Sequence, residues 1–398
     1  MIRQSKRQMK TVIDRMRRKL RHCCYSSRWQ LLASTQLAQG ITYQEYKSRS
    51  LIANRLHVIA VDLSSSEWEL DLLIGQNKTV SETLKDFTPS AVAGINGSLF
   101  HLDTQEALFP IIKGETIDNI NYINTTNKAN YVYEPLAIMK TTQGEVKIGR
   151  YELYLELPEL ALSMPFYSKT NHQPRLYRSK KEWLQNKQVG DAVYLLFQQK
   201  HEFSELQTAV SFEYKGRVTC NSKNMKEEML FLNGQCILAV PAHYMKRLNQ
   251  LTQGQDYKGY VALENEFSNT SLAFLLTSGP LLVKNNQPAL TMTKKSKRQT
   301  AKAPRSAFGL SADGQIAYFV VLDGRQPLYS RGMTLTSFAK TLKQIGISDA
   351  INLDGGGSST LVSKRSDQSY QALNRPSNKQ ERPVHNVLAI KKPSKKRS

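Results

Sequence analysis

The stretch from Ile316 to Ser363 constrains the fold more than any other part of this chain. Ile316 to Leu322 is a run of β-branched and aromatic residues that ends at Asp323-Gly324. Leu335, Phe338, Ala339, Leu342 and Ile345 then fall on one helical face, with Thr334 placed as a cap and Gly346 just past the end. Ala350 to Leu353 is a second short apolar run, ending at Asp354-Gly355, and Thr360 to Ser363 a third. A strand, a crossover helix and a strand predict a parallel pair within a mixed sheet. Asp323 and Asp354 each stand at the C-terminal end of their strand, so a parallel pair brings both carboxylates to one sheet edge, where open α/β sheets bind ligands.

The rest of the chain reads as α+β, with mixed β-sheets and a few packed helices. Strand-like runs occur at His57 to Val61, Leu70 to Ile74 and Ala91 to Ile95. From about 114 to 270, Tyr/Asn/Lys/Gln-rich stretches alternate with short apolar runs, which predicts a β-rich insertion or second lobe. The expected layout is a basic extension over 1–49, a main domain over 50–392 that contains 114–270, and a basic tail over 393–398. Met9, Val12, Ile13, Met16 and Leu20 suggest a short amphipathic helix in the extension.

The formal net charge is +22, and it is not spread evenly. Residues 1–28 hold ten basic residues against Asp14, residues 294–305 hold six with no acid, and residues 391–398 hold five with no acid. A basic nucleic-acid-binding core is thereby disfavoured, since its cations should lie across a folded face. Basic termini suit a solvated tail or peripheral contact with an anionic membrane, with Cys23-Cys24 as acylation sites in the second case. Cys23, Cys24, Cys220 and Cys236 form no CxxC pair, so no zinc site follows, and Cys220 and Cys236 are read either as a pair or as reduced thiols. No apolar run is long enough to span a bilayer, and the basic N-terminus lacks the apolar stretch of a signal peptide. The sequence therefore assigns no compartment.

Asp354-Gly355-Gly356-Gly357-Ser358-Ser359 is the strongest local motif. Consecutive glycines serve where the chain adopts positive φ or a ligand approaches the backbone, and their N–H groups with two hydroxyls can line an anion or sugar pocket. Asp323-Gly324-Arg325 repeats the strand-end Asp-Gly and adds a guanidinium. Pro304-Arg305-Ser306 supplies another, of the kind suited to bidentate phosphate contact. Gly94-Ile95-Asn96-Gly97 closes an apolar strand and is read either as a hairpin turn or as placing Asn96 toward a pocket.

In this order the motifs resemble the phosphodiester glycosidase family. Asn352 to Thr360 matches its signature, supported by Gly94 to Phe100, Ser278-Gly279-Pro280-Leu281-Leu282, Pro304 to Gly309, Asp323-Gly324-Arg325, Gly332-Met333-Thr334-Leu335 and Arg382-Pro383-Val384-His385-Asn386. The resemblance covers roughly 50–113 and 270–392. It implies a hydrolase of the glycosyl bond of sugar-1-phosphodiesters, with bacterial relatives associated with exopolysaccharide and other surface glycans, in a family that usually works outside the cytoplasm. The expected catalytic residues are Asp354, Asp323 and Arg305. The expected substrate contacts are Asn96, Gly97, Ser278, Gly279, Arg325, Gly355, Gly356, Gly357, Ser358, Ser359 and Arg382.

The residues suit that chemistry. A phosphate leaving group makes phosphate neutralisation and support for an oxocarbenium-like centre more important than acid assistance. Arg305 and Arg325 fit the phosphate, while Asp354 and Asp323 fit nucleophile, base or cation stabiliser. Asp323, Asp354 and Asn96 are also an oxygen set that suits Ca²⁺ or Mg²⁺. A non-catalytic module that binds anionic glycan, or a membrane-surface scaffold, would use the same cations without needing two strand-end acids.

Overall fold

Seven consecutive residues, Ile316–Leu322, are all buried, as expected of a continuous apolar run covered on both faces. In a computed structural model of the chain, which describes residues 28–50, 53–88, 90–120, 134–167, 174–177, 192–199, 205–218, 235–267, 270–292 and 296–393, this run is a central strand. The proposed N-terminal amphipathic helix, Cys23-Cys24, Cys220, Lys294, Lys295 and the last basic residues lie outside the described residues. No helix among those described is long and apolar enough to cross a membrane.

Among these residues the chain divides into two units. The first draws on the chain up to Ala107, on Leu136–Ile148 and on everything from Leu276 onward; the second draws on Leu108–Pro135 and Gly149–Leu275.

The first unit holds two antiparallel sheets. The larger runs in the order Trp29–Ala38, Ile41–Ser48, Arg55–Asp62, Ile316–Leu322, Arg305–Leu310, Asp349–Asn352, Leu281–Lys284 and Gln287–Pro288. Every neighbouring pair in it is antiparallel. The expected mixed sheet with an adjacent parallel pair is therefore corrected. Ile316–Leu322 and Asp349–Asn352 do run in the same direction, but Arg305–Leu310 lies between them and opposes both. The helix Leu335–Gln344 connects them. Thr334 caps it by accepting from Ser337 N–H at 3.1 Å, and Leu335, Phe338, Ala339 and Leu342 form its buried face.

The smaller sheet runs Tyr370–Ala372, Leu361–Lys364, Ala93–Asn96, Val384–Lys391 and Glu69–Lys78, again wholly antiparallel. The helix Val80–Phe87 covers it. Thr79 and Glu82 form a reciprocal capping box at its start, and Val80 and Leu84 pack with Leu73, Val362 and Val387.

Residues 353–360 pass from the larger sheet to the smaller one. Leu353 N–H donates to Ser306 O at 2.9 Å, Asp354 N–H to Gly97 O at 2.9 Å, and Gly356 N–H to Pro304 O at 3.0 Å. The Gly-rich turn is thus fixed by main-chain bonds to the ends of strands from both sheets.

The second unit is a twisted antiparallel sheet in the order Arg175–Tyr177, Gln235–Pro241, Ala192–Gln199, Val210–Val218 and Asp256–Asn265, continued by residues 149 onward of Val146–Leu157. Phe197 packs against Phe212 and Tyr214 on this sheet.

Candidate active site

Asp354 follows the strand Asp349–Asn352 by two residues and begins the turn. Its Oδ1 accepts from Gly355 N–H at 3.0 Å. Burial pushes the Asp354 carboxyl above the usual carboxylate range, against the opposing pull of the Ser358 hydroxyl, the Gly355 N–H and the nearby Arg382 and Arg298 guanidiniums. The residue as a whole is half-buried, and its carboxyl stands in a low-dielectric recess.

Guanidiniums gather on the same turn. Gly356 holds φ +64°, and a Cβ there would lie 3.1 Å from Arg325 Nη2. At Gly357 a Cβ would lie 2.3 Å from Arg382 Nη2 and 2.7 Å from Asn378 Nδ2, so only a glycine admits those two side chains. Arg305 is buried, and that burial, with a further push from the neighbouring Arg325, draws it down to about 10. Two like charges held together in this way favour an anion between them. Among the described residues, none of Arg305, Arg325 and Arg382 is ion-paired with a carboxylate. Arg325 itself holds φ +60°, a backbone that costs an L residue about 1–2 kcal/mol, which is the kind of strain that accumulates at functional sites.

Arg305 has less freedom than its sequence position suggests. Its Nε donates to Met333 O at 3.0 Å, and its Nη2 donates to Arg298 O at 2.9 Å and Ala301 O at 2.6 Å. Three of its five N–H groups therefore hold backbone.

Asp323 departs from the expectation. Its carboxylate is 1% exposed, and both oxygens are taken by protein donors. Oδ1 accepts from Asn374 Nδ2 at 3.0 Å and from Arg375 N–H at 3.1 Å, while Oδ2 lies 2.9 Å from His57 Nε2. His57 Nδ1 is in turn 2.9 Å from the Tyr43 hydroxyl, whose proton is held by burial. A carboxylate can only accept, so the consistent assignment is His57 Nε2–H donating to Asp323 and Tyr43 donating to Nδ1. Asp323 leaves the same sheet edge as Asp354 but sits beneath the Asn374-Arg375 main chain, with both oxygens bonded to protein donors.

Asn96 is corrected in the same sense. It is fully buried, its Nδ2 donates to Asp354 O at 2.7 Å, and its Oδ1 accepts from Ser306 Oγ at 2.9 Å and Thr360 N–H at 3.1 Å. It fixes the turn rather than facing a pocket. Gly97 serves the same end, with its N–H donating to Asn386 O at 2.9 Å. Ser278 and Gly279 are buried behind the strand end: Ser278 Oγ donates to Asn352 O at 2.6 Å and Asn352 Nδ2 to Gly279 O at 3.2 Å. The expected Ca²⁺ or Mg²⁺ set does not fit, because Asp323 and the Asn96 amide oxygen spend their lone pairs on protein donors, and no group of three or more His, Cys, Asp or Glu suited to a metal occurs among the described residues.

The turn brings together Asp354, Arg305, Arg325, Arg382, Gly355, Gly356, Gly357 and Ser358, with Ser359 buried directly behind. Sequence reasoning missed His57 and Tyr43, which lie 266 and more residues from Asp323 in the chain, along with Asn374, Asn378 and Arg298. Only His57, the polar residue inside the apolar run Leu56 to Val61 of the strand Arg55–Asp62, carries a visible signal. His385, in a matched motif, is buried and pushed down to about 4 by desolvation, against the pull of Glu106, so its ring is neutral near pH 7.

Residues 208–391 match the model of the phosphodiester glycosidase family. The resemblance carried by separate motifs thus extends over a continuous stretch, which starts inside the region the motifs leave uncovered. No curated protein matches. Among solved structures, a hypothetical protein from Synechocystis aligns with a TM-score of 0.61 at 16% identity, over 92% of this chain and 64% of that one. A putative exported protein from Burkholderia pseudomallei aligns with a TM-score of 0.54 at 17% identity, over 86% and 74%. These two share the fold. The catalytic domain of zebrafish N-acetylglucosamine-1-phosphodiester α-N-acetylglucosaminidase, auto-inhibited by its pro-peptide, aligns with a TM-score of 0.45 at 14% identity, over 92% and 88%.

Proposed function

We propose that this protein hydrolyses the glycosyl C1–O bond of a sugar-1-phosphodiester, in the turnover of a surface glycan or exopolysaccharide. The observation that carries the reading is one recessed carboxyl, Asp354, on a Gly-rich turn flanked by the guanidiniums of Arg305, Arg325 and Arg382. Arg305 Nη1 and Arg325 hold the non-bridging phosphate oxygens and stabilise charge as the phosphomonoester departs. Asp354 stands at the anomeric carbon as nucleophile, base or stabiliser of the oxocarbenium-like centre. Water supplies its oxygen to C1, one proton goes to solvent or the departing phosphate, and the phosphate keeps its four oxygens. A single accessible carboxyl is sufficient for a leaving group that needs little protonation.

The test is a panel of α and β sugar-1-phosphodiesters hydrolysed in ¹⁸O-labelled water. The expected products are free sugar carrying the label and an unlabelled phosphomonoester. Label in the phosphate would mean P–O cleavage and overturn the assignment. Absence of turnover, with retained binding of the same diesters, would favour a glycan-binding module.

A further inference from the structure

The cations on the turn outnumber what one phosphodiester requires. Arg305, Arg325 and Arg382 gather at a turn whose own acid is Asp354. A diester brings one negative charge, which the closely spaced Arg305 and Arg325 already address. Arg382 lies against Gly357, next along the turn from the glycine that Arg325 lies against, with the Asn378 amide at the same Gly357. The acid next to it in sequence is committed elsewhere: the Glu381 carboxylate accepts from Ser81 N–H at 3.1 Å and Ser81 Oγ at 2.5 Å, at the start of the helix Val80–Phe87. Lys302, Arg331, Arg375 and Lys379 are exposed on the segments that flank the turn. A guanidinium beside an amide donor, near Asp354 but in no ion pair among the described residues, suits an anionic oxygen pair.

We infer that the substrate carries a second anionic group, a carboxylate or its equivalent, within one residue of the scissile phosphodiester, and that Arg382 and Asn378 bind it. This rests on the reading proposed above and narrows it to polyanionic glycans. The second charge can sit on the released sugar or on the aglycone, and the same guanidinium chemistry serves either.

The experiment compares three diesters built on the glycosyl group that the labelled-water panel identifies: the neutral sugar-1-phosphoglycerol, its uronic-acid counterpart, and the neutral sugar joined through phosphate to glycerate. One of the two acidic substrates should exceed the neutral one in kcat/KM by about tenfold or more at low salt, as expected for a charge-assisted contact, and which one does so locates the second charge. The advantage should shrink as salt rises. Arg382→Gln should abolish it and Arg382→Lys retain part of it. Equal or better turnover of the neutral diester in the wild-type protein, which needs no variant, would overturn the inference, as would an advantage unchanged in Arg382→Gln. Failure of all three diesters to release sugar would instead overturn the hydrolase reading itself.

Discussion

Asp323 Oδ2 and His57 Nε2 lie 2.9 Å apart, and both side chains are about 1% exposed. The pair ties the end of a central strand of the larger sheet to its neighbour, and through Asn374 Nδ2, which donates to both Asp323 Oδ1 and Ser359 O, to the back of the Gly-rich turn. Asp323 is therefore a positioning residue. Replacing it with alanine leaves His57, Asn374 and the Arg375 N–H without their acceptor. Removing one partner of a buried pair costs about 3–5 kcal/mol, and Asp323→Ala should lose stability on that scale in urea unfolding. A variant as stable as wild type but inactive would mean that Asp323 meets the substrate.

Asp354→Asn should behave in the opposite way. The folded-state pKa of Asp354 is raised, so its contribution to stability is present below the unfolded carboxylate pKa of about 3.9 and is lost as pH rises through the folded value. At neutral pH the native state bears the cost of a desolvated charge that asparagine avoids. The expected outcome is turnover reduced by about a thousandfold or more, together with a neutral-pH Tm equal to or above wild type. The Tm difference should close as pH falls below about 3.9. A Tm well below wild type at pH 7 would show that Asp354 is a structural anion.

These two acids also show how much was legible in the chain. The strand-end positions, the helix with its Thr334 cap and the direction of the two strands followed from local periodicity, which sequence displays. The insertion of Arg305–Leu310 between the two strands did not, because strand order depends on contacts formed over long separations. Burial was the other hidden quantity. Asp323-Gly324 and Asp354-Gly355 look alike, yet one carboxylate is held by protein donors at His57 and residues 374–375, while the other accepts from its own turn and belongs to a half-buried residue. Asn96, Ser278 and Gly279 were legible as motif positions but not as internal ties, since their partners come from distant strands.

Gly97 and Gly357 offer a paired test of the turn. A Cβ at Gly97 would lie 1.7 Å from Asn386 Oδ1 and 3.0 Å from Asn386 O, in a buried junction with no room to yield. Gly97→Ala should lose about 1–3 kcal/mol of stability by the cost of overpacking. At Gly357 the clash is with the far end of Arg382 and with Asn378 Nδ2, which can swing outward. Gly357→Ala should therefore unfold near the wild-type midpoint while raising KM severalfold. Thermal melts with steady-state kinetics separate the two. A Gly357→Ala protein with wild-type KM would show that neither side chain contacts substrate.

Arg305→Lys keeps a positive charge but not the planar fork. A lysine ammonium has three donors and cannot span Met333 O, Arg298 O and Ala301 O together while still reaching a ligand from the position of Nη1. Each buried carbonyl left without a donor costs about 1–3 kcal/mol. The variant should therefore lose stability and phosphate contact at once, by independent amounts. The two losses can be parted by substrate: hydrolysis of the phosphodiester should fall much further than hydrolysis of an uncharged aryl glycoside of the same sugar, measured well below the Tm of the variant. Added guanidinium at millimolar concentration should recover part of the phosphodiester rate, because it restores a planar donor pair to the gap the shorter lysine leaves. Equal loss on both substrates, without recovery, would assign Arg305 to the scaffold alone and leave Arg325 as the phosphate-binding guanidinium.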